Sequence, residues 1–450
     1  MKKLLVFYFT LGVCAICFPQ KFTKNDTLRG SITPERAWWD VLHYDLKVTV
    51  NPKEKTISGS NTISYRVLEA HDKMQIDLQP PMVLNNAVQN NQSLTLTRKG
   101  NVYYIDLLDT QPKDSVLKIT LLFAGQPVEA LNPPWDGGYT WSRDSNGKDF
   151  IATSNQGIGA SVWWPNKDHP YDEPDQGVTL AITTPKDLVG VGNGRLINTQ
   201  ENEENTTWTW QVTQPINNYG VNVNVGDYVT FSETYKGEKG PLDISYWVLR
   251  ENKSKAKKQF TQVPKMLEAF EYWFGPYPFY EDSYKLVEVP YLGMEHQSSV
   301  TYGNRYMDGY LGRDLSGTGW GLKFDFIIIH ESGHEWFANN ITNKDIADMW
   351  IHEGFTAYSE NLFLDYYYGK EASSEYVIGT RKRIRNDRPI IGNYNVNAEG
   401  SSDMYYKGAN MIHMLRQFTK NDEKWRGILR KMNAKFHHQT VTTQQIESFL

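Results

Sequence analysis

The stretch "FDFIIIHESGHEWFANNITN", Phe324 to Asn343, decides how the chain around it is read. An apolar run, Phe326 to Ile329, leads into His330, Glu331 and His334. Residues four apart on a helix lie one turn apart, so both imidazoles share a face. Such a greasy helix belongs in an interior, where histidine and glutamate side chains are costly without partners. Two readings follow. The histidines are core residues satisfied by hydrogen bonds, or both face one metal ion, with Glu331 beside them to take a proton from an attacking water.

The next helix separates these readings. Asn339 to Asp348 reads as loop, and "WIHEGFTAYSENLFLDYYYG" then opens at Trp350, placing Glu353 nineteen positions beyond His334. Two histidines on one helix and a carboxylate on the next make the His, His, Glu set that leaves a fourth position open, as a hydrolytic zinc site requires. The expected cofactor is one Zn2+ per chain, held by His330, His334 and Glu353. Glu360, two turns further, either orients a histidine from behind or is a solvated surface carboxylate. His352 competes as a ligand, but Glu353 fits the spacing better.

Working outward, His43 to roughly Phe231 reads as sheet. "HYDLKVTV", "TISGSNTISYRVL", "KMQIDL", "SLTLTR", "NVYYIDL", "SVLKITLLF", "VTLAITT" and "TWTWQVT" are short runs with alternation or β-branched enrichment, broken by Asn, Gly and Pro turns. After "PLDISYWVLR" the period changes: Phe260, Val263, Leu267, Phe270 and Phe274 recur at helical spacing. Helical patterns follow at Leu322 to Asn339, His352 to Tyr368, Ala372 to Arg385, Met404 to Phe418 and Glu423 to Phe436. The expected division is an N-terminal β-sheet domain over 21–240 and a mainly helical domain over 241–450. The final "VTTQQIESFL" begins as a capped helix at Thr442 or Thr443 and stops on an apolar residue, the pattern of a domain that continues beyond it.

The chain has 450 residues, 40% hydrophobic and 13% aromatic, enough for more than one substantial core and incompatible with a disordered chain. Lys plus Arg 47 against Asp plus Glu 52, with no long basic run, argues against a nucleic-acid partner. Residues 1–20, "MKKLLVFYFTLGVCAICFPQ", match a signal peptide for export to a periplasmic or extracellular space; a retained anchor is the alternative. Both cysteines, Cys14 and Cys17, lie there, so the mature chain is expected to carry neither disulfide nor thiol chemistry, nor a membrane span. Losing Lys2 and Lys3 with it takes the formal charge from -5 to -7.

With "HESGHEW" followed by "WIHEGFTAYSE", the chain resembles the zinc aminopeptidases of the gluzincin group, the family of membrane alanyl aminopeptidase and leukotriene hydrolase. The likeness implies an α+β multidomain fold: an antiparallel β-sheet domain followed by a thermolysin-like catalytic domain. It implies peptide substrates with a free N-terminus, with Glu331 as general base. Upstream, "YLGMEH" stands where the family has Gly, any residue, Met, Glu, Asn. By that match Glu295 holds the substrate's α-ammonium, with Gly293 and Met294 lining the substrate, while Leu292 and His296 depart from the pattern. "MYYKGANMIHML" resembles the family's Tyr, any, Lys, Gly segment, which makes Tyr405 the oxyanion-stabilising hydroxyl. Gln156, nine residues before Pro165, corresponds to the second amine-binding residue.

Two other functions fit the same residues. An endopeptidase, or a peptidase of narrow specificity, would use the changes at Leu292 and His296 to reshape the amine site. A non-enzymatic peptide-binding module would keep the fold without the chemistry. The aromatic set Trp135, Tyr139, Trp141, Trp163 and Trp164 serves either as core or as a binding platform. "GVGNG" from Val189's neighbour Gly190 onward reads as a turn, and "DSNGKD" at Asp144 as a hairpin tip. Side-chain preference and oligomeric state are not encoded in any of these motifs.

Overall fold

The computed structural model describes residues 22–450, so the expected export segment lies outside the described residues. The first half is built on an eight-stranded sheet. Its long strand Trp39–Asn51 pairs antiparallel with Thr56–Val67, Tyr44 opposite Ile63. Alternate side chains of these strands, Tyr44, Leu46, Val48 and Ile63, turn inward, as their two-residue period requires. On its other side Trp39–Asn51 pairs in parallel with Val178–Pro185, a departure from the antiparallel pattern expected. The chain between these strands travels through two smaller sheets before returning, long enough to re-enter from the same end.

One of those smaller sheets contains the hairpin Gly138–Arg143 and Asp149–Ser154. Its tip is "DSNGKD", where Asp144 Oδ1 accepts the backbone N–H groups of Asn146 and Lys148. The aromatic set divides. Tyr139, Trp163 and Trp164 are fully buried core, Trp141 stacks on Tyr139 at 5.1 Å, and Trp135 is 64% exposed at the mouth of the cleft described below.

A five-stranded sheet opens the second half, in the order Tyr228–Gly237, Gly240–Leu249, Tyr284–Glu288, Val300–Tyr302, Gly293–Met294. The hairpin on either side of residue 240 packs as one unit. Leu242, Ile244, Tyr246 and Val248 share a core with the helix Gln262–Phe274, whose Val263, Met266, Leu267, Phe270 and Phe274 form its apolar stripe.

The remaining helices carry the site. The motif helix is Phe326–Gly333, shorter than its periodicity suggests. Asp325 caps its start, accepting from the N–H groups of Ile327 and Ile328, and the backbone leaves helical geometry at Phe337. The carboxylate helix spans Trp350–Thr380 and breaks at Gly369, where φ is 88°, which joins two helical patterns read separately in the sequence. Tyr406–Thr419 and Asp422–Lys435 follow, and a final helix, Thr443–Phe449, is capped by Thr442 with Gln445. Among the described residues, no helix is long and apolar enough to cross a membrane.

Candidate metal centre and cleft

The motif helix and the carboxylate helix approach so closely that a Cβ on Gly333 would stand 2.5 Å from the Ser359 hydroxyl. That contact turns His330, His334 and Glu353 toward one point. One ligand atom from each lies within 4.8 Å of the others, and all three residues are buried. The imidazole rings stand nearly perpendicular, their centroids 5.0 Å apart. Glu353 Oε2 faces His330 Nε2 at 3.6 Å and His334 Nε2 at 3.4 Å, and makes no hydrogen bond.

The residues around these three fix their protonation. His330 Nδ1 lies 2.8 Å from Glu360 Oε1, whose other oxygen accepts from the Tyr376 hydroxyl at 2.6 Å. His334 Nδ1 donates to the Phe337 carbonyl at 3.0 Å. Each Nδ1 keeps its proton on its own acceptor, so it is the Nε2 proton of each ring that a cation would displace, exposing a lone pair toward the same point as the bare Glu353 oxygen. Burial pushes the Glu353 carboxyl up and both rings down, but until a cation binds the Glu353 and Glu360 carboxylates hold the rings protonated above the usual histidine range, and those charges hold Glu353 well below the usual carboxylate range. A buried carboxylate oxygen and two ring lone pairs fit a divalent cation of zinc's ligand preference. A second acidic group, Glu295, Glu331 and His334, overlaps the first at His334 and belongs to the same site.

Two ambiguities of the sequence resolve here. Glu360 is 1% exposed and holds His330 from behind, so it is no surface carboxylate. His352 turns away: its Nε2 accepts the Asn343 backbone N–H at 2.7 Å.

A cleft of about 1150 Å³ runs over the triad, and Gly293, Met294, Glu295, Gln156, Glu331 and Tyr405 all line it. Gly293 and Met294 form the edge strand of the five-stranded sheet, lying against the motif helix. Glu331 is nearly buried beside the triad, and burial raises its carboxyl to about 7 against the pull of His330 and His334. Tyr405 precedes the helix Tyr406–Thr419, its ring 6.1 Å from that of His330. Burial, then the charges of Glu353 and Glu295, keep its hydroxyl protonated well above the usual tyrosine range.

Glu295 is 3% exposed, and its Oε1 accepts from Gln156 Nε2 at 2.7 Å and from the Tyr219 hydroxyl at 3.1 Å. The same Gln156 amide nitrogen donates to Glu353 Oε1 at 3.0 Å, tying Glu295 to the triad. Asn339 Nδ2 donates to the Glu295 backbone carbonyl at 2.9 Å. Tyr219, Asn339 and Tyr376 escaped the sequence reading; no local spacing distinguishes them. His296 is fully buried with Nδ1 toward Thr301 Oγ1 at 3.2 Å, and burial pushes it down to about 3. It is neutral at pH 7 and places no positive charge beside Glu295.

Fold and site together define a gluzincin-type metal site on a β-sheet domain joined to a mainly helical one. The chain belongs to peptidase family M1: the Peptidase M1 N-terminal domain matches residues 41–219 and the Peptidase family M1 domain residues 259–450. Aminopeptidase N of Lactococcus lactis subsp. lactis is 22% identical over 424 residues, covering 89% of this chain and 48% of that protein. Leukotriene A-4 hydrolase of Xenopus laevis is 22% identical over 462 residues, covering 93% of this chain and 68% of that protein. The chain thus spans about half the length of the first of these relatives. Among solved structures, an M1 zinc metallopeptidase mutant from Deinococcus radiodurans, bound to a Tyr-Ser-Ala substrate, superposes with a TM-score of 0.79 at 21% identity, covering 93% of this chain and 92% of that one. Native leukotriene A4 hydrolase from Saccharomyces cerevisiae superposes at 0.74 with 19% identity, covering 92% of this chain and 64% of that one.

Proposed function

We propose that the chain is a zinc aminopeptidase that removes N-terminal residues from peptides. The observation that carries this reading is Glu295, a buried carboxylate in the same cleft as the triad and linked to Glu353 through the single side chain of Gln156. In a desolvated site a carboxylate calls for an opposite charge, and the one every unblocked peptide carries is its α-ammonium. The Gln156 amide oxygen accepts no hydrogen bond among the described residues and is free to share that ammonium.

His330, His334 and Glu353 would hold the zinc, which supplies Lewis-acid polarisation of the carbonyl and a more acidic water. Glu331 takes the proton of the attacking water and returns it to the departing amine. The Tyr405 hydroxyl donates to the oxygen on which negative charge develops. The edge strand Gly293–Met294 offers its outer backbone groups to an extended peptide, as a sheet edge does when a strand is added to it. The peptide held by the Deinococcus radiodurans relative supports the substrate class.

The endopeptidase reading drew on Leu292 and His296, and the neutral, inward-turned ring of His296 removes its electrostatic half. Nothing missing from the triad, Glu331 or Tyr405 favours an inactive module. The test compares a leucyl reporter amide with its N-acetyl form, before chelation, after chelation and after zinc is restored. Hydrolysis should require zinc and the free amine, and Glu295→Ala should lower kcat/KM for the free amine by about 100-fold, the order expected when a charge-assisted hydrogen bond is lost in a buried site. Equal hydrolysis of the acetylated reporter would defeat the exopeptidase reading.

A further inference from the structure

The cleft has two electrostatic poles, and the mechanism above uses one. Glu295, Glu331 and Glu353 line one region, with Glu399 on the Glu353 side; Lys382, Arg383 and Arg385 line the other. The three cations occupy a five-residue segment, Arg381 to Arg385, directly after the carboxylate helix ends at Thr380. None of them forms an ion pair among the described residues. Lys382 Nζ donates to the Ser316 carbonyl at 2.9 Å and Arg383 Nε to the Leu315 carbonyl at 2.8 Å, which fixes both stems and leaves their charge uncompensated. Arg385 is exposed and makes no side-chain hydrogen bond among the described residues.

Carboxylates nearby are committed elsewhere. Asp403 accepts the backbone N–H groups of Arg385 and Asn386 at 2.8 and 2.7 Å. Asp387 accepts the Ser401 hydroxyl at 2.5 Å and the Arg388 N–H at 2.8 Å. Asp314 accepts from Ser316 and Gly319. The consecutive tyrosines at the start of the last cleft helix mark the two poles. Tyr405 feels Glu353 and Glu295, whereas Tyr406, its ring 5.8 Å from the Arg383 guanidinium, stands between that cation and the inner carboxylate Glu360. The wall on the cation side continues from His330 through Phe326, stacked on it at 5.1 Å, to Tyr310, which meets Phe326 edge-on at 5.3 Å, and shares no residue with the Gln156, Tyr219 and Asn339 set that holds Glu295.

We propose that Lys382, Arg383 and Arg385 receive a carboxylate carried by the substrate on the leaving side of the scissile bond. A peptide anchored by its ammonium at Glu295 runs past the triad toward these cations, so its far end meets positive charge. This rests on the aminopeptidase reading and adds the substrate class: short peptides with a free C-terminus, or longer ones with an acidic side chain at that distance. Arginine suits either, since its fork matches a carboxylate's two oxygens.

The test uses the zinc-loaded enzyme at low salt on three peptides: Leu-Gly-Gly with a free carboxylate, its C-terminal amide, and Leu-Gly-Asp amide. At least one carboxylate peptide should exceed the neutral amide in kcat/KM by about threefold to tenfold, the scale of a few solvent-accessible charge contacts, through KM and not kcat, and the preference should fade as salt rises. The free acid alone gaining identifies the C-terminus as the source; gain by the Asp peptide identifies an acidic side chain. Arg385→Gln, whose side chain supports nothing else, and the combined Lys382→Gln and Arg385→Gln variant should bring the ratio toward one. Equal rates for all three peptides, or a ratio indifferent to these substitutions, would overturn the proposal while leaving the aminopeptidase reading intact. If no peptide turns over, that reading fails, and calorimetry on zinc-loaded Glu331→Gln decides the cations separately: the same ratio in Kd upholds them and its absence rejects them.

Discussion

At the scale of single residues, the site depends on groups that never meet substrate. Glu360 accepts from His330 Nδ1 and is itself held by the Tyr376 hydroxyl, so it sets both tautomer and orientation of the ring. Glu360→Ala should weaken zinc binding by about 10- to 100-fold, the range found when such an outer partner is removed, with Glu360→Gln losing less because its amide oxygen still accepts. Competition against a chromophoric chelator measures this; wild-type affinity in Glu360→Ala would show that the ring is held by packing alone. The ligands were legible because the information is local: His330 and His334 lie one turn apart, and Glu353 follows in the next helix. Glu295, Gln156 and Tyr405 were reached only through likeness to family motifs. Tyr219 and Asn339 were out of reach, since they meet Glu295 across 76 and 44 positions of sequence with no period to betray them.

At the scale of elements, close approach is bought with glycine. The edge strand Gly293–Met294 lies so near the motif helix that a Cβ on Gly293 would stand 2.6 Å from Ile327 Cγ2, 3.1 Å from the Thr301 carbonyl and 3.3 Å from Glu331 Cγ. Gly293→Ala should therefore push strand and helix apart, costing about 1–3 kcal/mol as overpacking does, and should displace Glu331 from the peptide path. Urea unfolding and kcat/KM on one reporter check both; a variant with wild-type midpoint and rate would mean the strand shifts freely. Periodicity found Trp39–Asn51, Thr56–Val67, Val116–Gly125, Val178–Pro185 and Asn205–Val212 of the large sheet, and helices such as Gln262–Phe274, because each has a buried face; it passed over Arg195–Glu201, which is almost wholly exposed, and Val83–Gln89, where Asn85 and Asn86 break the alternation. It overran the motif helix, because His334 bonds to the Phe337 carbonyl where the backbone leaves helical geometry, a side-chain event that apolar spacing cannot register. The cation segment also went unread: charges are scattered along the chain, and only the fold shows which of them face a cleft.

At the scale of the whole molecule, the two halves meet along a seam that contains buried groups of opposite titration sense. His169 donates from Nε2 to the Gly30 carbonyl at 3.2 Å and accepts the Tyr171 N–H at Nδ1, an arrangement only a neutral ring can satisfy. Burial, then the charge of Arg36, pushes its pKa from 6.5 down to about 3. Glu173, also buried, faces Thr342 in the short strand Ile341–Asn343 that the structure places between the two metal helices where the sequence reads as loop, and burial raises its carboxyl from 4.5 to about 8. The signs follow from proton uptake. Between pH 6.5 and 3 the unfolded chain binds a proton at His169 that the native chain refuses, so this residue's stabilisation is complete above pH 6.5 and drains away as pH falls. Between pH 8 and 4.5 the native chain holds a proton on Glu173 that the unfolded chain has lost, so its stabilisation is complete below pH 4.5 and drains away as pH rises. On going from about pH 7.5 to 5, the stability gap between wild type and His169→Gln should shrink, and that between wild type and Glu173→Gln should widen, each on the order of 2–3 kcal/mol. Denaturant melts of the three proteins at both pH values measure the gaps, and taking differences cancels every other titrating group. Parallel slopes in the three proteins would mean that water reaches the seam and both groups titrate as they do in the unfolded chain.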